Sequence, residues 1–477
     1  MAKLDTHPTV QQIRSHVSEP RPRMSYEAIK QLAMECGADD CGIVSLDRPE
    51  LDDQREEIRN AVPWTRSLVS FVCKMNREPI RSPARSVANL EFHSSGEQVN
   101  EVGRRLVARL QEIGIRALNP SMGFPMEMSR FPGRIWVVSH KPVAVAAGLG
   151  QMGVHRNVIH PKFGNFILLG TVLIDEEMGN DEGEPRPIDF NPCLECKLCV
   201  AACPVGAISP DGSFNFSACY THNYREFMGG FTDWVESVAS SKSKQDCRNQ
   251  VEDDETGSMW QSLSFGANYK AAYCLSVCPA GEDVISPFLD ERGNFIQEVV
   301  KPLQKKIENV YVQKGSDAEE FVAKKFPHKE LKVVGGVLRP TTIQGFIRGM
   351  HLVFQPGKSK GLQATYHFRF TRVDRVPVPA GERDFVAKMG DSPIEHGATA
   401  ADEMDEKTLG CTVTIKDQKI EVQNGWQGEC DLKVTVDARS WLRFLRKEIS
   451  VVWILLTMRL WMRGDPRLLL KFGKCFP

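Results

Sequence analysis

The chain has 477 residues and a formal net charge of −1, with 25% charged, 42% hydrophobic and 8% aromatic residues. That length exceeds one ordinary core and points to two or three domains; the apolar fraction excludes a mostly disordered chain, and 37 Gly with 28 Pro exclude a fibrous repeat. Near-neutral charge makes no global electrostatic case for nucleic acid, so no such partner is expected.

The first 23 residues hold no apolar stretch of secretory type. The nearest candidate for a transmembrane segment, Val451 to Met458, falls far short of the roughly 18 apolar residues required. A cytoplasmic location is expected, where 14 Cys are poor candidates for disulfides and good ones for metal.

In chain order, residues 24–185 read as an α/β unit. Ser25 is placed to cap a helix with Ile29, Leu32, Ala33 and Cys36 on one face and Gly37 at its end. Leu68–Cys73 and Ile135–Val138 read as buried strands. Val102, Leu106, Leu110 and Ile113 repeat at helical spacing up to Gly114, and Phe166–Ile174 is a further strand. Residues 186–310 carry a Cys cluster among Pro and Gly; within them Ser240–Ser258 is polar, without clear periodicity, and reads as a surface insertion. The charged stretch 311–340 reads as a linker. The last unit, 341–477, shows strands at Ala364–Phe370, Thr412–Ile415, Ile420–Val422 and Leu432–Val436, and an acidic excursion between Asp374 and Gly410. From Trp441 to Pro477 eight Lys/Arg face two acidic residues. An interfacial membrane helix is one reading of that basic, apolar end; a core helix with a solvated face is preferred, because Gly464-Asp465-Pro466 demands a bend inside a folded domain.

Cys193-x2-Cys196-x2-Cys199-x3-Cys203-Pro204 carries the chemistry. An iron–sulfur cube needs four thiolates; a tight loop gives three, and the Cys before Pro serves a neighbouring cluster in two-cluster ferredoxins. A second Cys-Pro is then required, and Cys274-x3-Cys278-Pro279 provides it. The reciprocal assignment puts Cys193, Cys196, Cys199 and Cys278 on one [4Fe–4S] cluster, and Cys203 with Cys274 on another. A symmetrical arrangement would place Cys three residues before Cys274, but Ala271 stands there. Cys219 and Cys247 are the remaining nearby thiols; a three-ligand cluster, or one with a non-Cys ligand, is the alternative. Zinc prefers paired C-x2-C knuckles to a triple followed by Cys-Pro.

Gly148-x-Gly150-x-x-Gly153 matches a dinucleotide fingerprint, but Pro161 stops the following helix too soon for a nicotinamide cofactor. A loop that lets backbone approach a large ligand fits better. His93, His140, His155, His160 and His222 each have a structural reading as hydrogen-bonded core residues. Cys36, Cys41, Cys73, Cys411, Cys430 and Cys475 read as small structural hydrophobes.

From about 25 to 300 the chain resembles epoxyqueuosine reductase and, more distantly, the cobalamin-dependent reductive dehalogenases. The resemblance lies in Ala147-Gly-Leu-Gly-Gln-Met-Gly153, Phe163-Gly164, Leu169-Gly170, Asp175, the Cys array, Phe214-Asn-Phe-Ser-Ala-Cys219-Tyr and the second Cys-Pro. It implies a nitroreductase-like α/β core holding cobalamin, two [4Fe–4S] clusters and an external ferredoxin- or flavodoxin-type electron donor. It favours Cys219 as a ligand, with Cys247 chosen as the fourth, and places Gly148, Gly150 and Gly153 against the corrin. That family carries a catalytic Asp where this chain has Ser139, so His140 or Lys141 is the expected substitute proton donor. Residues 341–477 resemble a sterol-carrier-protein-2-like domain, through Gly361-Leu-Gln-Ala-Thr-Tyr366, Cys411-Thr-Val-Thr-Ile, Asp431-Leu-Lys-Val-Thr-Val, Trp441-Leu and the Gly464–Phe476 ending. This implies an apolar tunnel for lipid-like ligands.

The expected fold is therefore α+β and multidomain: an α/β cobalamin-binding core (1–185), a ferredoxin-like dicluster module (186–310), a linker (311–340) and a sterol-carrier-like lipid-binding domain (341–477). The expected function is an iron–sulfur oxidoreductase, passing electrons to cobalamin for dehalogenation- or deoxygenation-type reduction of an apolar substrate held by the C-terminal domain. The alternatives are a non-catalytic electron-transfer or redox-sensing protein with a lipid-binding domain, and a lipid carrier whose clusters are structural.

Overall fold

Four strands form the first sheet in the order Asp40–Ser45, Ser67–Lys74, Ile167–Ile174, Ala117–Leu118, all neighbours antiparallel. The computed structural model describes residues 6–15, 24–128, 135–178, 185–189, 191–193, 195–336, 338–377 and 408–477. Alternation along Ser67–Lys74 explains its unbroken apolar run. Val69, Phe71 and Cys73 pack under the helices Tyr26–Glu35 and Arg85–Glu112, whereas Leu68 and Val72 pack under His140–Ala146 on the opposite face. Ser25 does cap the first of these helices, its Oγ accepting from Ala28 N at 3.2 Å. Ile135–Val138, expected as a strand, joins no sheet among the described residues; Ile135 O accepts from Glu127 N at 2.9 Å, and the segment is irregular chain leading into the His140 helix. Its short apolar run fits a buried loop as well as a strand, and Ile135 and Val138 are indeed buried.

The cysteine-bearing module is built on short helices, Leu198–Ala202, Phe216–Asn223 and Tyr273–Ser276. The stretch expected as a linker is instead a parallel strand–helix–strand unit, Asn309–Gln313, Asp317–Lys325 and Glu330–Val334. Its Val310, Val312, Ala318 and Val322 share one buried cluster with Cys199 and Cys203, so it belongs to the same core. The high charge that suggested a linker lies on its outer side, apart from Lys329. That residue is buried, and its Nζ donates to Leu303 O, Lys306 O and Glu308. The polar insertion is also ordered, as helices Gly229–Ser240, Lys244–Gln250 and Asp253–Phe265. It hangs on Arg225, whose guanidinium meets Asp233 at 2.7 Å and Glu255 at 2.6 Å, all three nearly inaccessible.

The third unit is a five-stranded sheet in the order Lys419–Asn424, Thr408–Lys416, Ala364–Thr371, Leu432–Asp437, Leu460–Gly464. Only the pairing of Ala364–Thr371 with Leu432–Asp437 is parallel. Tyr366, Phe368 and Phe370 alternate onto the face covered by helices Ile343–Val353, Ala438–Leu445 and Arg467–Lys474. Phe472 of the last helix lies 5.0 Å from the Tyr366 ring and 5.2 Å from that of Phe368. The Val451–Leu456 helix turns Ile454 into this core and leaves Val452 and Leu456 at the surface. Most of the acidic excursion falls on 378–407, outside the described residues. Among the described residues no helix is long and apolar enough to cross a membrane.

Candidate metal centres

Cys193, Cys196, Cys199 and Cys278 line one cavity with Val154, His155 and Pro279. Two left-handed residues, Glu195 (φ 54°) and Lys197 (φ 53°), curl the loop before the Leu198–Ala202 helix begins. Such alternation turns successive N–H groups inward, as anionic centres require. Val154 N donates to Cys193 Sγ at 3.3 Å. Burial pushes the Cys199 thiol up to about 12, reinforced by the charges of Cys274, Cys196 and Cys193, and burial also raises Cys278 strongly. These thiols keep their protons until a cation arrives, so metal loading is coupled to proton release.

The distant arm is held by close backbone contact. Gly164 (φ 64°) and Gly281 (φ 114°) stand back to back, and a Cβ on Gly164 would collide with the carbonyl of Ala280. Glu282 N and Asp283 N donate to Pro161 O and Lys162 O at 2.9 and 3.0 Å. The Cys278-Pro279 turn is thereby pinned to the end of the α/β core.

The second group is Cys203, Cys219 and Cys274. After burial, the strongest influence raising Cys219 is Cys203 and then Cys274, and Cys203 likewise raises Cys274, to about 11. Cys203 Sγ accepts from Ala207 N at 3.3 Å, with the N–H groups of Val205, Gly206 and Ile208 also turned to it. Cys219 rides on the Phe216–Asn223 helix, capped by Asn215 Oδ1 accepting from Ala218 N at 3.0 Å. Soft donors, Cys203 buried under backbone N–H groups and Cys219 and Cys274 half-buried, fit iron–sulfur ligation. Cys278 lines the cavity of the 193–199 loop, and Cys274 packs in the cluster that holds Cys203 and Cys219.

Cys247 is not brought to this group. It sits on the Lys244–Gln250 helix, none of whose residues is buried, within the outer insertion. Distance along the chain suggested it, but the Arg225 anchor folds that stretch outward.

The glycine segment serves the chain rather than an open cradle. A Cβ on Gly148 would meet Arg186 O at 2.8 Å, one on Gly150 the carbonyl of Ile159, and one on Gly153 the His155 ring at 2.8 Å. The expectation that Gly148, Gly150 and Gly153 face a corrin is corrected: their missing side chains let the loop fold on itself and present Val154 and His155 to the first thiol group.

His140 is also committed. Its Nε2 donates to Ser121 O at 3.1 Å, so its Nδ1 accepts from Thr171 Oγ1 at 2.8 Å, and burial lowers its pKa. With both nitrogens engaged it is a positioning residue rather than a proton donor. Lys141 differs. It is solvent-accessible yet desolvated enough for its pKa to be lowered, with the charges of Cys274 and Cys219 opposing that. Its Nζ donates to Arg156 O at 2.7 Å and Asn157 Oδ1 at 3.0 Å. Lys141 thus stands at the surface close to Cys219 and Cys274. Tyr224 and Tyr269, half-buried with rings 5.6 Å apart, stand at the same place, both lifted by burial and Tyr224 also by Tyr269, Cys219 and Cys274. Sequence reading missed this aromatic wall, although Tyr220, Tyr224 and Phe227 follow Cys219 at helical spacing. A further cavity of about 410 Å³, lined by Asn100, Arg104, Phe124, Trp136 and Val138, opens beside Ser121, within the ~300–1,000 Å³ range of small-molecule sites.

Two crosswise thiol groups against an α/β core define an iron–sulfur redox protein. Residues 186–209 match the 4Fe-4S binding domain family, and residues 396–477 match the SCP-2 sterol transfer family. The Ile343–Val353 helix and Ala364–Thr371 strand share the core of the latter unit, so that domain begins well upstream of the match. Epoxyqueuosine reductases are homologues of the front part of this chain. That of Cellulophaga algicola is 24% identical over 239 residues, 44% of this chain and 72% of the relative. That of Cyclobacterium marinum is 25% identical over 244 residues, 44% and 74% of the two chains. Among solved structures, the epoxyqueuosine reductase of Streptococcus thermophilus is similar over 57% of this chain and 74% of its own, at 15% identity and a TM-score of 0.34. A reductive dehalogenase reported for B12-dependent dehalogenation is similar over 61% and 40%, at 16% identity and a TM-score of 0.34. The front part of the chain is thus similar to iron–sulfur reductases.

One expectation is overturned. An epoxyqueuosine reductase solved with an epoxyqueuosine-modified tRNA-Tyr stem loop is similar over 69% of this chain, at 15% identity and a TM-score of 0.32. The relatives named epoxyqueuosine reductase remove the ground for excluding a nucleic-acid partner. Net charge is a sum over the whole surface, whereas phosphate contacts are local.

Proposed function

We infer that this chain passes electrons through two iron–sulfur clusters to a corrinoid held beside Lys141, for reductive removal of a leaving group from an apolar substrate. The observation that carries the reading is the crosswise pairing of thiols from 193–203 and 274–278, with an accessible, desolvated lysine beside the second group. Cys193, Cys196, Cys199 and Cys278 would hold the first cluster, and Cys203, Cys219 and Cys274 belong to the second. Lys141, Tyr224 and Tyr269 would border the corrinoid, which supplies low-potential reduction of a carbon–halogen or carbon–oxygen bond when bound. In this arrangement Lys141 holds a proton at Nζ near the reacting face, His140 fixes the start of its helix against Thr171 and Ser121, and the tyrosine wall limits water. The aromatic face under Phe472 and the match to the sterol transfer family support an apolar substrate held by the C-terminal domain.

The test is anaerobic loading of the full chain with iron and sulfide, followed by cobalamin. The expected result is stoichiometric corrinoid uptake and turnover of an apolar organohalide or epoxide that falls in a Lys141→Met variant. Clusters that reduce and reoxidise without any corrinoid uptake would leave an electron-transfer protein instead. Turnover of an epoxyqueuosine-modified tRNA stem loop alone would move the substrate class to RNA.

A further inference from the structure

The two cysteine segments repeat one backbone design. In the first, Lys197 (φ 53°, ψ 19°) is left-handed and opens a short helix; Cys199 follows two residues later and Cys203 six residues later. In the second, Ala272 (φ 54°, ψ 28°) is left-handed and opens the Tyr273–Ser276 helix, with Cys274 and Cys278 at the same offsets. A non-glycine residue rarely adopts that conformation, so its recurrence at matched positions marks equivalent geometry. The equivalence sets Cys274 on Cys199, Cys278 on Cys203, and Ala271 on Cys196. Where the first segment offers a thiol, the second offers a buried methyl group.

No other thiol replaces it. Asn223 holds the main chain in place, its Oδ1 accepting from Ala271 N at 3.0 Å and its carbonyl from Lys270 N at 3.3 Å. Cys247 is fixed in its outer helix, with Cys247 N donating to Ser243 O and Val251 N to Cys247 O, at 2.9 and 2.8 Å. Reaching the second group would require unwinding that helix and breaking the buried Arg225 anchor. Cys36, Cys41 and Cys73 lie in the first sheet's core, Cys411 and Cys475 in the C-terminal core, and Cys430 beside the latter. Every thiol is then accounted for.

We propose that the second cluster of this chain is held by three protein thiolates, Cys203, Cys219 and Cys274, and that its fourth iron, at the corner left by Ala271, binds an exogenous small ligand through oxygen or sulfur. Cys219 and Cys274 are half-buried and Lys141 beside them is exposed. An iron without a protein ligand is the labile one: one-electron oxidation converts [4Fe–4S]²⁺ into [3Fe–4S]⁺, with Fe²⁺ and the electron leaving, so iron, sulfide and charge balance. The first cluster, with four thiolates, keeps its iron under the same mild treatment.

This rests on the two-cluster reading, and the experiment separates the two. The full chain is loaded anaerobically to about eight irons, treated with one equivalent of ferricyanide, and examined by electron paramagnetic resonance while a ferrous chelator reports released iron. The expected result is a three-iron signal with about one Fe²⁺ released per chain, reversed by ferrous iron and dithiothreitol. Ala271→Cys is expected to abolish signal and release, and Cys247→Ala to behave as the parent chain. Retention of all iron by the parent chain, or loss of a cluster in Cys247→Ala, overturns the three-thiolate assignment alone. Loading of only about four irons overturns the two-cluster reading and this inference with it.

Discussion

Replacing Arg225 by Met is expected to damage the second thiol group from a distance. The guanidinium is 2% exposed and meets two carboxylates that are each 7% exposed, Asp233 at 2.7 Å and Glu255 at 2.6 Å. It also lies 5.2 Å from the Tyr311 ring, tying the insertion to the strand–helix–strand unit. Removing one partner of a buried ion pair costs about 3–5 kcal/mol, because the remaining charge stays uncompensated. Asp233 keeps a weaker contact with Arg339 at 3.9 Å, whereas Glu255 has no other ion pair among the described residues, so the cost falls mainly on the Asp253–Phe265 helix. Against a typical stability of about 5–15 kcal/mol, the loss is enough to loosen the Phe216–Asn223 helix that carries Cys219. Urea titration followed by far-ultraviolet circular dichroism, with iron content measured on the same samples, is the assay. The expected outcome is an earlier first transition and selective loss of the second cluster's iron. A triple variant, Arg225→Met with Asp233→Asn and Glu255→Gln, should recover most of the stability, since no bare charge remains buried. A single variant that costs less than about 1 kcal/mol would refute the reasoning, because it would mean the carboxylates are solvated on demand.

Gly164→Ala should displace the Ala280 turn and with it Cys278, seen as loss of the first cluster's iron while the C-terminal domain stays folded. His155 is buried and pushed down to about 4, by burial and then by Lys141; its Nδ1 accepts from Asn157 N at 3.1 Å, which leaves an Nε2–H without a hydrogen-bond partner beside the first thiol group. His155→Leu should therefore lower that cluster's reduction potential by about 1 kcal/mol, roughly 40 mV for one electron, measured by redox titration. Burial raises the Glu308 carboxyl, but hydrogen bonds from Lys329 and Tyr273 outweigh it and hold it below its ordinary 4.5. Its contribution is complete above about pH 4.5 and disappears as pH falls through the lower folded value. Glu308→Gln should thus cost stability near neutrality and flatten the acid side of the curve of stability against pH.

What the sequence made legible divides along physical lines. Cluster ligands announce themselves because a tight loop must space thiols two or three residues apart, and that local rule singled out Cys193 to Cys203 and Cys274 with Cys278, of which Cys278 lines the cavity of the first loop. Four strands of the sheet, between 364 and 436, were equally plain, since alternation such as Tyr366-x-Phe368-x-Phe370 is a local consequence of one buried face, whereas the fifth, Leu460–Gly464, lay in an end read as helical. The failures needed partners far away in sequence. Residues 311–340 looked like a linker because charges such as Lys329 were counted as surface charges, whereas Lys329 is buried against Glu308. The insertion 240–258 looked structureless because its anchor, Arg225, precedes it and its polar faces satisfy acid–base pairs rather than an apolar stripe. The glycine segment was misread toward a ligand because an absent side chain says that something approaches closely, not what approaches; here it is the carbonyl of Ile159. The same limit applied to Ala271. Its place in the series was visible from spacing alone, but only the recurrence of a left-handed residue at Ala272 and Lys197 shows that the backbone kept a ligand's geometry after the thiol was gone. A fold that retains the loop and omits the sulfur has no structural reason to do so if four thiolates are needed. It has one if the open iron is where a ligand binds.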